Sequence, residues 1–481
     1  MTAIFTVSLP RSLTTTTRTG DPEMTTTGPT RKLERSVAAL AGRIVLPEHS
    51  NWDEARLAWN LAVDQQPAAV VFPESAADVI AAVELARAFE LRVTAQGTGH
   101  NAAPLGPLED TVLVKTERMR GIEIDPENQI ARIDAGVRSV ELVEAAAWHG
   151  LAPLAGSSPD VGVVGYTLGG GLSWFGRKYG LAASNVHAIE LVTAGGRLVR
   201  TDGEHEPDLF WALRGGGGSF GIVTALELQL IRISEVYAGI LWWPIERDRE
   251  VLRAWAELTR RELPDELTTV GRYLRPPSLP EVPEPVRGKS FVVVEAIHLG
   301  EPEQADELLA PLRALGPVMD TIRRIPTPAL SHLHMDPEHP VPATADGMLL
   351  HKLPPEAIDK LIRTAGAASS SPLVSLEVRQ LGGELGRAHP GGGALAAVDA
   401  DYVLYAVGIS PAPEAAAQVR AHIEVVADAL RPWAAGQTYL NFAETRRDPH
   451  TLWTETAQQR LRRVKATLDP DNLIRSNQPV H

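Results

Sequence analysis

Residues 214–230 read RGGGGSFGIVTALELQL. Gly216, Gly218 and Gly221 stand in the spacing G-x-G-x-x-G, which between a strand and a helix would hold a dinucleotide pyrophosphate at the helix start. The residues after the glycines exclude that unit. Ile222, Leu226, Leu228 and Leu230 fall on one face of an alternating pattern, so a strand comes next, not a helix. Such glycines still let backbone N–H groups approach a phosphate where no Cβ intrudes. Two more clusters precede this one, QGTGHN (96–101) and LGGGLSWFGRKYG (168–180). Together the three point to a cofactor cleft built in another way, with turn chemistry alone as the alternative.

Outward from these clusters, elements alternate. AAVVF (68–72) reads as a buried strand and ESAADVIAAVELARAFE as an amphipathic helix. LRVTA, TVLVK, GIEID and QIARIDAG follow as strands, then SVELVEAAAWHG as a helix. This interleaving over residues 33–235 indicates a mixed α and β architecture. From 236 to 431 the pattern changes. Proline-rich linkers such as RPPSLPEVPEPVRG separate strands (KSFVVVEAIHL, ADYVLYAVGI) from helices (PEQADELLAPLRAL), which predicts a second domain with an antiparallel sheet backed by helices. Residues 432–481 close with a charged helix, TETAQQRLRRVKATLDPDN, ended by Asp-Pro.

Composition narrows the function. The 481 residues carry a net charge of −14, which opposes a nucleic-acid or anionic-membrane partner. There is no cysteine, so disulfides, thiolate metal sites and cysteine nucleophiles are excluded. No apolar run approaches the roughly 20 residues that span a bilayer. The Thr-rich residues 1–32 make a poor signal peptide and are expected to be disordered, with Met24 as an alternative start. A cytoplasmic protein, monomeric or homodimeric, is expected.

In their order along the chain, PAAVVFPESAADV, RVTAQGTGHN, PDVGVVGYTLGGGLSWFGRKYGLAASNV, DLFWALRGGGGSFGIVT, SLEVRQLGG and a closing YLNF…RLRRVKATLDPDNLIRSNQ are six linked motifs. The chain from about residue 45 resembles the FAD-linked oxidases of the p-cresol methylhydroxylase and vanillyl-alcohol oxidase superfamily, in particular the berberine-bridge-enzyme-like branch. The resemblance implies an α+β fold. The FAD-binding domain would be in two parts, residues 33–235 and the returning segment 432–481, with the substrate domain 236–431 inserted between them. It implies FAD bonded covalently through the ring of His100 to the flavin 8α-methyl. Many relatives add a cysteine link at the position of Ser158; here that link is impossible, so a single tether, a lower potential and a more open site are expected. The implied FAD contacts are Gly97, Thr98, Gly99, His100 and Asn101; Ser157, Ser158, Gly162, Gly165, Tyr166 and Gly170; Asn185, Gly221 and Val223; and Asn441 and Asn477.

The resemblance further implies hydride transfer to flavin N5 from a C–H beside a hydroxyl, on a sugar or secondary metabolite, with O2 reduced to H2O2. A flavin dehydrogenase, or an oxygenating or cyclising tailoring enzyme, is the alternative, and a noncatalytic flavin- or small-molecule-binding protein is another. In this family the base is often a tyrosine of a Y-x-N-Y motif; here the stretch is Tyr439-Leu440-Asn441-Phe442, so one phenol is missing. If the stretch is a strand, Tyr439 and Asn441 share a face toward the cofactor; otherwise Tyr439 is structural. In PLVSLEVRQLGG, Ser375, Glu377 and Arg379 alternate with Val374, Leu376 and Val378. Either the polar face covers the flavin, with Glu377 as a base and Arg379 as its partner, or it is a solvated ladder. His332, His334 and His339 of SHLHMDPEH read as a loop at the substrate entrance rather than a metal set.

Overall fold

Short apolar runs become strands, and Ser, Pro and Gly set where the helices between them begin. The computed structural model describes residues 38–280, 282–389 and 391–480; the expectations for residues 1–32, Met24 included, lie outside them. Among the described residues the strands form three sheets. The first contains β1 (Ile44–Val45), β2 (Ala69–Val71), β3 (Arg92–Gln96) and β4 (Thr111–Lys115), in the order β1-β2-β4-β3. β2, β3 and β4 run parallel, and Val70, Val71, Leu113 and Val114 are fully buried, as a sheet covered on both faces requires. The crossover helix Ala76–Ala88 starts at a capping box: Ser75 Oγ accepts from the Asp78 N–H, and the Asp78 carboxylate accepts from the Ser75 N–H at 3.1 Å.

The second sheet is antiparallel: β5 (Ile122–Asp125), β6 (Ile130–Asp134), β7 (Val186–Val192), β8 (Leu198–Thr201) and β9 (Ile222–Gln229), ordered β5-β6-β9-β7-β8. β9 is the strand read after the glycine cluster, and the helix Pro207–Leu213 precedes that cluster, the reverse of the dinucleotide fingerprint.

The third sheet holds β10 (Glu235–Pro244), β11 (Leu267–Leu274), β12 (Phe291–His298), β13 (Met319–Asp320), β14 (Arg323–Pro326), β15 (Ala343–Leu350), β16 (Ser375–Gln380) and β17 (Tyr402–Ile409). Its order is β13-β10-β12-β11-β16-β17-β15, with β14 also on β10, and its pairs are antiparallel. The backing helices Pro302–Arg313, Pro355–Ala365 and Pro413–Leu430 each begin with proline, where the missing N–H has no intrahelical role. One sheet face sends Tyr273, Val292, Val294, Leu376, Val378, Leu404 and Ala406 into a core with Trp243, Trp255 and Leu361. Strand alternation turns Arg272, Glu295, Glu377, Arg379 and Tyr405 to the opposite face, and register sets Glu377 against both Arg272 and Tyr405.

The end of the chain returns to its beginning. The helix Glu455–Leu468 packs on Pro207–Leu213, and Ile474 lies parallel beside Val93 along the outer edge of β3. There the Val93 N–H donates to Leu473 O and the Arg475 N–H to Val93 O, both at 2.9 Å. The buried Lys465 ammonium secures the tail by donating to Ser219 O, Asp469 Oδ2 and Ile474 O. The α+β expectation holds. Among the described residues no helix is long and apolar enough to cross a membrane.

Candidate FAD and substrate site

The polar face of the third sheet and the glycine loops enclose a common cavity of about 1110 Å³. That exceeds what a single drug-sized ligand fills and suits a dinucleotide with a substrate beside it. Gly97–Asn101, Ser157, Ser158, Gly162, Gly165, Tyr166, Asn185, Gly221, Val223, Asn441, Asn477, Glu377 and Arg379 all line it. Gly170 and Tyr439 do not. Gly170, at φ +119°, lies beneath the loop, where a Cβ would press on Leu395 and the Tyr439 hydroxyl. Tyr439 caps a 3-10 turn (Leu440–Phe442) instead of lying in a strand, so its ring enters the cluster of Leu172, Leu395 and Val398. Its place off the cavity wall corrects its expected role as a base facing the cofactor; burial raises its phenol pKa, but it does the same to Tyr405, so position and not acidity separates the two.

The cavity fits FAD at its glycine-rich end. A Cβ added at Gly165 or Gly218 would meet nothing within 4 Å and would project into the space. The Gln96 amide and Asn101 Oδ1 are buried on the wall with no protein partner. Other expected contacts are spoken for within the chain. Asn185 donates to Tyr179 O and Leu181 O, and Asn441 donates to Tyr166 O at 2.9 Å. The Tyr166 hydroxyl donates to Leu154 O, and the Gln478 N–H donates to Asn477 Oδ1. Gly221 lines the space, but a Cβ there would strike Leu191 and Val192, so packing against β7 demands the glycine.

His100 follows the turn at Gly99 (φ +92°), where a side chain would collide with Ala58 and Gln96. The Trp59 indole stacks on the imidazole at 4.0 Å between centroids. Asp160 faces His100 Nε2 at 3.1 Å, and the Thr98 hydroxyl faces Nδ1 at 3.1 Å. The same carboxylate accepts from the Trp59 Nε1–H and the Ser158 hydroxyl. Burial lowers the His100 pKa to about 4, leaving a neutral ring at physiological pH.

At the sheet end lies a buried charge network that the sequence pattern did not reveal. Arg272 donates to Glu295 at 3.0 Å, to His334 O at 2.7 Å and to the Ser375 hydroxyl at 2.8 Å. His334 meets Glu295 through Nδ1 at 2.8 Å and Glu377 through Nε2 at 3.1 Å. With a carboxylate on each nitrogen the ring holds both protons. Burial and Arg272 oppose its charge, but Glu295, Asp336 and Glu377 outweigh them and raise the pKa to about 9. Arg379 pairs with Glu377 at 3.3 Å and lies 4.5 Å over the Trp174 ring. Burial opposes ionisation of Glu377, yet Arg379 and His334 hold its carboxyl well below the usual range. This polar face is therefore a buried wall and not a solvated ladder, and a carboxylate so committed is a poor proton acceptor.

The pair Tyr405–Glu444 also lines the cavity and was not among the expected residues. The Tyr405 hydroxyl donates to Glu444 at 2.8 Å, and its ring lies 4.8 Å from Phe442, beside the missing phenol. Burial raises the Glu444 pKa to about 7. Of SHLHMDPEH, residues 334–339 line the cavity, whereas His332 is exposed and pairs with Glu338.

Residues 67–202 match a protein family described as FAD binding domain. An FAD-linked oxidoreductase of Bacillus subtilis (strain 168) is 30% identical over 312 residues, 64% of this chain and 67% of that protein. The chain belongs to the FAD-linked oxidoreductases. Within them it falls in the p-cresol methylhydroxylase and vanillyl-alcohol oxidase superfamily. The (R)-6-hydroxynicotine oxidase of Paenarthrobacter nicotinovorans is 33% identical over 279 residues; the match spans 58% of this chain and 59% of that protein. The berberine-bridge-enzyme-like protein 1 of Physcomitrella patens shares the fold, with a TM-score of 0.80 and 23% identity over 93% of this chain and 99% of that one. The FAD-linked oxidoreductase is thus an enzyme, which sets aside the noncatalytic alternative.

Proposed function

We propose that this FAD-linked oxidoreductase is an oxidase of a hydroxylated small molecule, with FAD tethered covalently through His100 alone. The observation that carries the reading is the continuity of the cavity, from the His100 loop to Tyr405 and Glu444. When bound, FAD supplies the hydride acceptor at N5, and O2 takes the two electrons to give H2O2. Gly97, Gly162, Gly165 and Gly218 leave room for it, and Gln96 and Asn101 offer it unpartnered polar atoms.

The chain's own contribution is proton management and shape. The substrate hydroxyl gives its proton to Tyr405 Oη as Tyr405 passes its own to Glu444, a transfer set up by the existing 2.8 Å hydrogen bond. The Tyr405 phenol then does the work that Phe442 cannot. Leu274, Pro276, Leu279, Val282, Val286 and Ile409 wall the outer cavity. That favours a hydroxyl on an aromatic or hydrocarbon body over a bare sugar. The hydroxynicotine oxidase named above is one relative with oxidase chemistry, and the oxidase reading is tested directly against a dehydrogenase.

The test mixes the purified enzyme anaerobically with panels of hydroxylated aromatics, aliphatic alcohols and sugars while flavin absorbance is followed. Bleaching by members of the first two panels, with stoichiometric H2O2 on admitting air, is the expected result. Bleached flavin that persists in air would make the enzyme a dehydrogenase.

A further inference from the structure

Asp160 belongs to neither the expected FAD contacts nor the proton pathway, yet it is 6% exposed and sits beside the proposed tether. Trp59, Ser158 and His100 converge on its two carboxylate oxygens. Trp59 Nε1 holds Oδ2, so Oδ1 is aimed at His100 Nε2, while the stacked indole fixes the imidazole plane. Such an arrangement selects a tautomer: the proton stays on Nε2, facing the carboxylate, and the lone pair is left on Nδ1, where the Thr98 hydroxyl donates.

We propose that Asp160 is the positioning residue for flavin attachment, orienting His100 so that Nδ1 bonds to the flavin 8α-carbon and taking up the proton that Nε2 must lose. This rests on the covalent reading given above. One imidazole N–H and one 8α C–H are broken, and one N–C bond forms. The two electrons released pass into the flavin, and dioxygen then removes them with two protons as H2O2. Asp160 carries the imidazole proton out. Without it, the bond-forming nitrogen would have to develop a full positive charge in a site where burial already lowers the imidazole pKa.

The test uses the enzyme as isolated and reads total bound flavin separately from flavin that stays in the pellet after acid precipitation. Wild type should retain its flavin in the pellet, and His100→Ala should release all of it. Asp160→Asn keeps an oxygen acceptor for the Trp59 indole and should fill with FAD normally. Its rate of covalent incorporation should fall by about 10²-fold or more, the usual size of a lost proton acceptor. Asp160→Glu, which restores a carboxylate, should recover part of that rate. Incorporation at the wild-type rate in Asp160→Asn would overturn the proposal while leaving the His100 tether standing. Wild-type flavin released by acid would overturn the tether itself, and this proposal with it. If Asp160→Asn fails to bind FAD at all, Asp160→Glu decides: full noncovalent loading with no covalent recovery would also overturn it.

Discussion

His334 should make the stability of this enzyme fall as pH rises through a window where most folded proteins are insensitive. Its partners lift the folded-state pKa from an ordinary 6.5 to about 9. A His whose folded pKa exceeds its unfolded value contributes stability fully below the unfolded pKa and loses it as pH climbs through the folded one. With about 1.4 kcal/mol for each tenfold change in proton affinity, the stake is about 3 kcal/mol. In a chain of this size that moves the unfolding midpoint by about 3 °C. The assay is thermal unfolding of the flavin-loaded enzyme, followed by tryptophan fluorescence, in buffers spanning pH 6.5 to about 9. The comparison is with His334→Gln, which should begin less stable, because Glu295 and Glu377 lose a buried cation, and should stay nearly flat. Lysines and tyrosines titrate in both proteins, so the difference between the curves isolates the imidazole. Parallel curves across the window would refute the reasoning, since His334 would then be neutral between its two carboxylates.

Further outcomes are expected at the proton pathway, at Tyr439 and at two glycines. Glu444→Gln and Tyr405→Phe should each slow flavin reduction by about 10²-fold or more in stopped-flow assays. Wild-type reduction should rise with pH through about 7 as Glu444 ionises, and Glu444→Gln should lose that limb. Tyr439→Phe should leave flavin reduction near the wild-type rate because the ring lies outside the cavity; a loss equal to that of Tyr405→Phe would reverse the assignment. Gly165→Val should fold normally but purify with little FAD, because its side chain meets only open cavity. Gly171→Ala should instead lose about 1–2 kcal/mol of stability for its left-handed backbone at φ +78°, before any clash with Ala182, as a thermal melt would show.

Much of this architecture could be read from local pattern. The strand after Gly221 was legible because its alternation is local, and that excluded the Rossmann unit. The polar face of β16 was legible for the same reason, since alternation puts Ser375, Glu377 and Arg379 together. Whether that face is wet or buried depends on what covers it, and that was not legible. Arg272, Glu295 and Tyr405 reach the same face only through strand register across the sheet. Their signal was a single charge inside an apolar run, Arg272 in LTTVGRYL and Glu295 in FVVVEAIH. Tyr439 misled because YLNF has strand-like composition, whereas the Phe442 N–H turns back to Tyr439 O at 3.1 Å. One tight turn sends the phenol into the core and leaves Asn441 at the cavity.

The tail beside β3 bears on how this protein is made. β3 ends its sheet, and an unpaired strand edge is a template for wrong partners. Its cover is residues 473–475, and Thr94 bonds to Arg475 O across 381 positions of sequence. At ribosomal speeds of roughly 5–20 residues per second, about 20–80 s separate the emergence of the edge from that of its cover. During that interval the His100 loop hangs from a sheet with one side open. The proposed flavin cradle is thus synthesised long before the segment that closes its sheet. Expression at lower temperature, or with chaperones that shield strand edges, should therefore raise the soluble yield more than any change to the third sheet.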